Sequence, residues 1–197
     1  MSGPLLANVP NDPADAVRAQ AMLGLLDTVL GMLDGNTNAK MFLLRVAWHE
    51  GARLRARRQG GGGPALSFFQ FEAHRARDAG DYARAKGLVP KIAQLCADTE
   101  AALNGGIAAL PLFDAAHPNQ SARFPAGNLI GTLLETYDAF GIALARIAFK
   151  KVPAAVPSTI EEQAQYWYTY WKVSGGDPAV LRARFAAEAR ELDTLLL

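Results

Sequence analysis

The chain has one cysteine, Cys96, in 197 residues, so no internal disulfide can form and the core alone must hold the fold. That fits assembly in a reducing compartment. An excess of charge is missing as well. Lys and Arg number 20 against 19 Asp and Glu, a net charge of +1, so no global field draws the protein to nucleic acid or to an anionic membrane. With no recognition motif for DNA or RNA either, nucleic acid is not an expected partner. Long hydrophobic runs are absent too. The most apolar stretch, Phe140 to Phe149, is short and contains Arg146, so no membrane span is expected. The first residues carry no Lys or Arg ahead of their short apolar run. A signal peptide is therefore not expected, and synthesis in the cytoplasm is.

What is present is ordinary globular material. Half of the residues are hydrophobic and a fifth are charged, and a chain of this length can bury a substantial core without metals. The reading is all-α. Residues 1–12, rich in Pro and Asn, form an arm, and 13–197 form a single helical domain. Asp12-Pro13 starts a helix that runs to about Asp34, where Gly35-Asn36 breaks it. Thr37 caps the next, which is apolar on nearly every side through Trp48 and so is expected to be buried.

From Gly51 to Leu66, Arg53, Arg55 and Arg57 alternate with Leu54 and Ala56. This predicts a short extended piece, or a small hairpin turning at the glycines Gly60 to Gly63. A short helix to about Ala79 follows. Asp81 then caps one ending near Asn104, with Val89, Ile92, Cys96, Thr99 and Leu103 as its stripe. Residues 105–125 read as a long loop. Residues 126–150 read as one continuous central helix. Ser158-Thr159-Ile160-Glu161 is a capping box for a helix to about Val173, and Asp177-Pro178 opens the last.

Glu50 is the first candidate for chemistry. A carboxyl at the end of an apolar helix, just before a glycine, is half-buried, and burial suits a group that must hold a proton near neutral pH as a general acid. Twenty residues on, Gln70 lies within Ser67-Phe68-Phe69-Gln70. With Trp48-His49-Glu50-Gly51, this resembles the lysozyme-like superfamily, especially soluble lytic transglycosylases and goose-type lysozymes. Those proteins place a catalytic Glu at the end of a buried helix, then a glycine-bearing loop, then a Gly-Leu-Met-Gln type motif.

The resemblance covers about Met41 to His74. It implies a lysozyme-like domain in which Glu50 is the general acid/base. Gln70, Ser67, Phe69 and His49 would shape a sugar cleft, and Tyr166 and Tyr170 are added as rings for sugar stacking. Where lytic transglycosylases usually carry Ser after the Glu, this chain has Gly51; where the later motif begins with Gly, it has Ser67. Glycoside hydrolysis by two carboxylates needs a second one, for which Glu72 and Asp78 are the candidates. A transglycosylase needs none, because a hydroxyl of the sugar attacks internally.

Other features carry less. His49, Glu50, Glu72 and His74 lack a metal-binding spacing, so no metal and no cofactor is expected. The tetraglycine lacks the Gly-Lys-Ser/Thr ending of a phosphate loop. Trp167 and Trp171 share one helix face and Tyr166 and Tyr170 another, one pair being core. Arg53 to Arg58, with Arg75 and Arg77, form a local basic patch that is either a solvated face or a contact for anionic polymers or a partner protein.

Two readings stay open. One is a muramidase or lytic transglycosylase acting on the peptidoglycan glycan strand, phage-encoded, virion-associated and working at the cell wall. The other is a lysozyme-like structural protein of a phage virion, a tail or capsid component without cleavage activity, whose partners are other phage structural proteins.

Overall fold

The computed structural model describes residues 12–100, 123–124, 128–172 and 175–197, side chains 97–100 aside. Residues 1–11 of the arm expected at 1–12, most of the loop expected at 105–125, and Leu103 and Asn104 lie outside them. Among the described residues the chain is all-α, with eight α-helices: α1 (Ala14–Met32), α2 (Thr37–Glu50), α3 (Ala73–Ala85), α4 (Val89–Glu100), α5 (Leu129–Thr136), α6 (Asp138–Lys150), α7 (Ile160–Tyr170) and α8 (Pro178–Leu195).

The helix starts follow from side-chain caps. Asp12 accepts the Ala14 amide at 2.9 Å. Asn36, not the expected Thr37, caps α2 by accepting from Ala39 at 2.9 Å. Thr159 is the cap of α7, and its reciprocal partner is Glu162 rather than Glu161. Asp177 accepts from Ala179 and Val180 ahead of Pro178 in the first turn of α8. Each cap satisfies an amide that the helix itself leaves without an acceptor.

α6 is the hub. Phe140, Ile142, Ala143, Leu144, Ala145, Ile147 and Phe149 are all buried, so it is enclosed on nearly every side. It packs against α1, α2, α3, α4 and α5. α2 is equally apolar, with Phe42 to Trp48 buried throughout, as its sequence predicts. α7 and α8 pair with each other and α8 closes over α2. Arg45, 7% exposed, ties these three together: it donates to Gln163 Oε1 of α7 at 2.7 Å and to Asp193 Oδ2 of α8 at 2.5 Å.

Two expected helices are divided differently. The single helix at 126–150 breaks at Tyr137, whose φ of −124° and ψ of 101° are extended. The break lets the Tyr137 ring enter the core, where it is 9% exposed, and lets Asp138 begin a new helix as an acid in its first turn. The helix expected to start at Asp81 starts instead at Ala73, runs through Asp81, and stops at Gly87, whose φ is +64°. α4 then begins, with Pro90 in its first turn. A left-handed Gly followed by a Pro is the ordinary end of one helix and start of the next.

The segment between α2 and α3 is not the predicted extended piece. Ala52, Arg53 and Leu54 all have positive φ, at 53°, 59° and 57°, and form a left-handed turn. Its amides return to α2 and Gly51: Arg53 to Trp48 O at 2.8 Å, Arg55 and Ala56 to Gly51 O at 2.9 and 3.0 Å. The turn buries Leu54 to 4% exposure. The hairpin at the glycines shrinks to isolated antiparallel bridges, Arg58 with Leu66 and Leu66 with Phe71.

The arginines then pin this segment to four helices. Arg53 pairs with Glu191 of α8 at 2.6 Å and Arg55 with Asp15 of α1 at 2.7 Å. Arg57 pairs with Asp138 of α6 at 2.8 Å, and Arg58 donates to Glu135 of α5 at 2.7 Å. The arginines from Arg53 to Arg58 of the expected basic patch are thus each paired with an acid of the fold, while Arg57 and Arg58 stay exposed.

Candidate active site at the end of helix α2

Glu50 is the last residue of α2 and is half-buried. Its carboxylate Oε1 accepts a hydrogen bond from the indole Nε1 of Trp167 on α7 at 2.9 Å. Among the described residues its other oxygen accepts none, and no cation lies within ion-pair distance. Trp167 is itself immobilised: 1% exposed, stacked on Phe185 at 5.1 Å and met edge-on by His49 at 4.6 Å. The acid is thus held by a donor that the core holds in turn.

His49, the neighbour of Glu50, points to a different partner. Its Nδ1 is 2.6 Å from Glu188 Oε2, and Glu188 also accepts from Arg184 at 2.8 Å. Burial works to raise the Glu188 pKa, but the bonds from His49 and Arg184 outweigh it and hold the carboxyl below its usual range. His49 thus packs on Trp167 and Phe185 while bonded to Glu188.

The Ser67–Phe71 motif shapes the loop from inside. Ser67 and Phe69 are 2% and 1% exposed, so neither presents a side chain to a ligand. Ser67 packs against Gly141 of α6, where an added methyl would collide with its hydroxyl. Ser67 and Gln70 both take positive φ, 69° and 52°, and form a tight turn whose ends carry Phe68, Phe69 and Phe71 into the core. The Gln70 amide donates to Ser67 O at 2.9 Å and lies 3.5 Å from Ala56 O. Gln70 thus ties together the two limbs of the loop that leaves Glu50.

Gly51 has a steric reason. A methyl there would lie 2.6 Å from Ala47 O and 3.0 Å from the Phe68 backbone, so the close approach of the motif to the end of α2 excludes any side chain.

The tyrosines divide. Tyr166 is 4% exposed, donates to Ala154 O at 3.0 Å, and is pushed up to about 12 by burial. It is packed in the core. Tyr170 is 42% exposed and meets Tyr166 edge-on at 4.8 Å.

The indole that meets Glu50 is that of Trp167, and Trp171 follows it by four residues. Trp171, 4% exposed, stacks on Phe149 and is met edge-on by Phe71 of the motif. The guanidinium of Arg75, from α3, lies over its ring at 5.1 Å. Their four-residue spacing is the signal that marks these tryptophans in the sequence; Arg75 is marked only as a member of the basic patch, and nothing local marks Glu188.

The two candidate second carboxylates have partners of their own, and the fields of both, like that of Glu50, act on Arg75. Glu72 is 3.4 Å from His74, and Asp78 pairs with Lys151. Among the described residues no three His, Cys, Asp or Glu side chains come together as a metal site would require, and no helix is long and apolar enough to cross a membrane. A cavity of about 240 Å³ lies between the glycine loop and α5, lined by Arg58, Pro64, Leu66, Asn128, Thr132 and Glu135 among others. Glu50 and Gln70 do not line it. Compared with family models, with curated proteins and with solved structures, the chain matches none of them.

Proposed function

We propose that the protein cleaves the glycan strand of peptidoglycan in the manner of a lytic transglycosylase, with Glu50 as general acid and base. The observation that carries this is the carboxylate at the end of the buried α2: one oxygen is held by the Trp167 indole at 2.9 Å, and the other is without a hydrogen bond among the described residues. An acid in that state is oriented yet available. In the first half of the reaction Glu50 gives its proton to the glycosidic oxygen, and the bond to the sugar's anomeric carbon breaks. In the second, the 6-hydroxyl of the same muramyl ring attacks that carbon and returns its proton to Glu50. The ring closes to an anhydro sugar and the enzyme ends as it began.

The one-carboxylate route needs only Glu50, whereas two-carboxylate hydrolysis needs a second carboxylate across the bond, for which Glu72 and Asp78, partnered by His74 and Lys151, are the candidates. The test is product analysis of purified cell walls digested with the protein. Anhydro-muramyl ends are expected. Reducing muramyl ends alone would replace the transglycosylase by a hydrolase.

A second reading has its own support. Ser67, Phe69 and Tyr166, which the superfamily resemblance and the aromatic pattern assign to the substrate, are enclosed in the core. That favours a lysozyme-like scaffold retained in a phage virion for assembly, without cleavage. Intact cell walls after incubation with folded protein would support it.

A further inference from the structure

Arg75 differs from the other arginines around the site. Arg53, Arg55, Arg57 and Arg58 each meet an acid. Arg75 is half-buried and, among the described residues, makes neither a hydrogen bond nor an ion pair. Its guanidinium lies over the Trp171 ring at 5.1 Å. Burial acts to lower its pKa, and Glu50 is foremost of the carboxylates whose field opposes that. The others, Glu72 and Asp78, are engaged by His74 and Lys151. A guanidinium carries five donors in a planar fork. On a half-buried guanidinium beside an indole, such a fork suits a two-oxygen acceptor.

Its position is set by the same helix face that sets Glu50. Trp167 holds the carboxylate and Trp171 underlies the guanidinium. Four residues of helix rise separate the two indoles by about 6 Å along the axis, roughly one sugar ring.

We propose that Arg75 is a specificity-determining residue that receives a carboxylate carried by the sugar strand bound at Glu50. This rests on the glycan-cleaving reading above and narrows it. A neutral N-acetylglucosamine polymer has no such group. A muramyl strand has one on its lactyl ether when free of peptide, or on the stem peptide when that ether is capped. Arg75 selects the acidic strand over the neutral one.

The test uses Glu50→Gln as a non-cleaving background in calorimetric titration. The probes are chitotetraose, a peptide-free muramyl tetrasaccharide and a peptide-bearing one. At least one carboxylate-bearing strand is expected to bind about tenfold or more tighter than chitotetraose, and the strand that does so identifies the carboxylate. Adding Arg75→Gln reduces that strand to the chitotetraose level, and Arg75→Lys keeps part of the preference. A preference that survives Arg75→Gln overturns the proposal, as does an equal loss on all three probes, which would make Arg75 only structural. Wild-type protein is assayed for cleavage of the muramyl strands in parallel. If it cleaves them but the preference survives Arg75→Gln, Arg75 alone is misassigned; if it neither cleaves nor binds them, the Glu50 reading falls and this one with it.

Discussion

Trp167 donates its indole N–H to Glu50 at 2.9 Å across 117 residues of sequence, joining the end of α2 to the middle of α7. Trp167→Phe keeps a ring against Phe185 but removes the donor. The expected cost in stability is about 1–2 kcal/mol for the lost hydrogen bond and volume. With the acid no longer oriented, kcat on cell walls is expected to fall about tenfold while KM stays near its wild-type value. Steady-state kinetics beside a thermal melt separates the two effects, and an unchanged kcat would deny Trp167 its positioning role.

Asp15 is fully buried and answers two arginines: Arg55 with Nε at 3.1 Å and Nη2 at 2.7 Å, and Arg18. Asp15→Asn leaves both guanidinia facing a neutral amide. Loss of such a partner is expected to cost about 3 kcal/mol and to release the segment after Glu50 from α1. Chemical denaturation measures it. A loss below about 1 kcal/mol would mean that this pair is no stronger than a surface one.

Acid should destabilise the fold through the same kind of group. Burial works to raise the pKa of Asp15 and of Glu188, but their arginine and histidine partners outweigh it, and both carboxyls sit below their ordinary values of 3.8 and 4.5. A carboxyl depressed in the folded state adds stability above its unfolded pKa and loses it as pH falls through the folded one. Stability is therefore expected to decline below about pH 4.5, and Glu188→Gln should flatten part of that decline. Urea midpoints taken from pH 7 to pH 3 check it; a wild-type midpoint that rises on acidification would contradict the assignment.

The backbone next to the acid gives opposite expectations at adjacent residues. Gly51→Ala drives a methyl into Ala47 O and the Phe68 backbone and is expected to cost about 2 kcal/mol. Ala52 sits at a φ of 53°, where a side chain costs about 1 kcal/mol, so Ala52→Gly is expected to be neutral or to stabilise by up to about 1 kcal/mol. Thermal melts of both variants test the left-handed turn that carries the chain away from Glu50.

Much of the architecture was legible where a local signal exists. The caps at Asp12 and Asp177, the buried run Phe42 to Trp48 and the all-α class come from short-range patterns that local physics decides. The misreadings have tertiary causes. The alternating arginines of 53–57 imitate a strand, yet each turns toward an acid that another helix supplies. Tyr137 interrupts a helical pattern because its ring fills the core from an extended backbone.

At the site, Glu50 was picked out by its place at the end of an apolar helix. The motif residues Ser67 and Phe69 have the composition of a ligand-facing turn but face inward. Trp167 and Trp171 share a visible helix face, but no sequence rule states that one meets Glu50 and the other Arg75.

The central claim is that Glu50 delivers the proton that breaks a glycan bond. Turbidity of purified cell-wall suspensions should fall with wild-type protein and stay flat with Glu50→Gln at equal concentration, the two proteins having matching circular dichroism and melting curves. Equal clearing by both, or no clearing by well-folded wild-type protein, would contradict it.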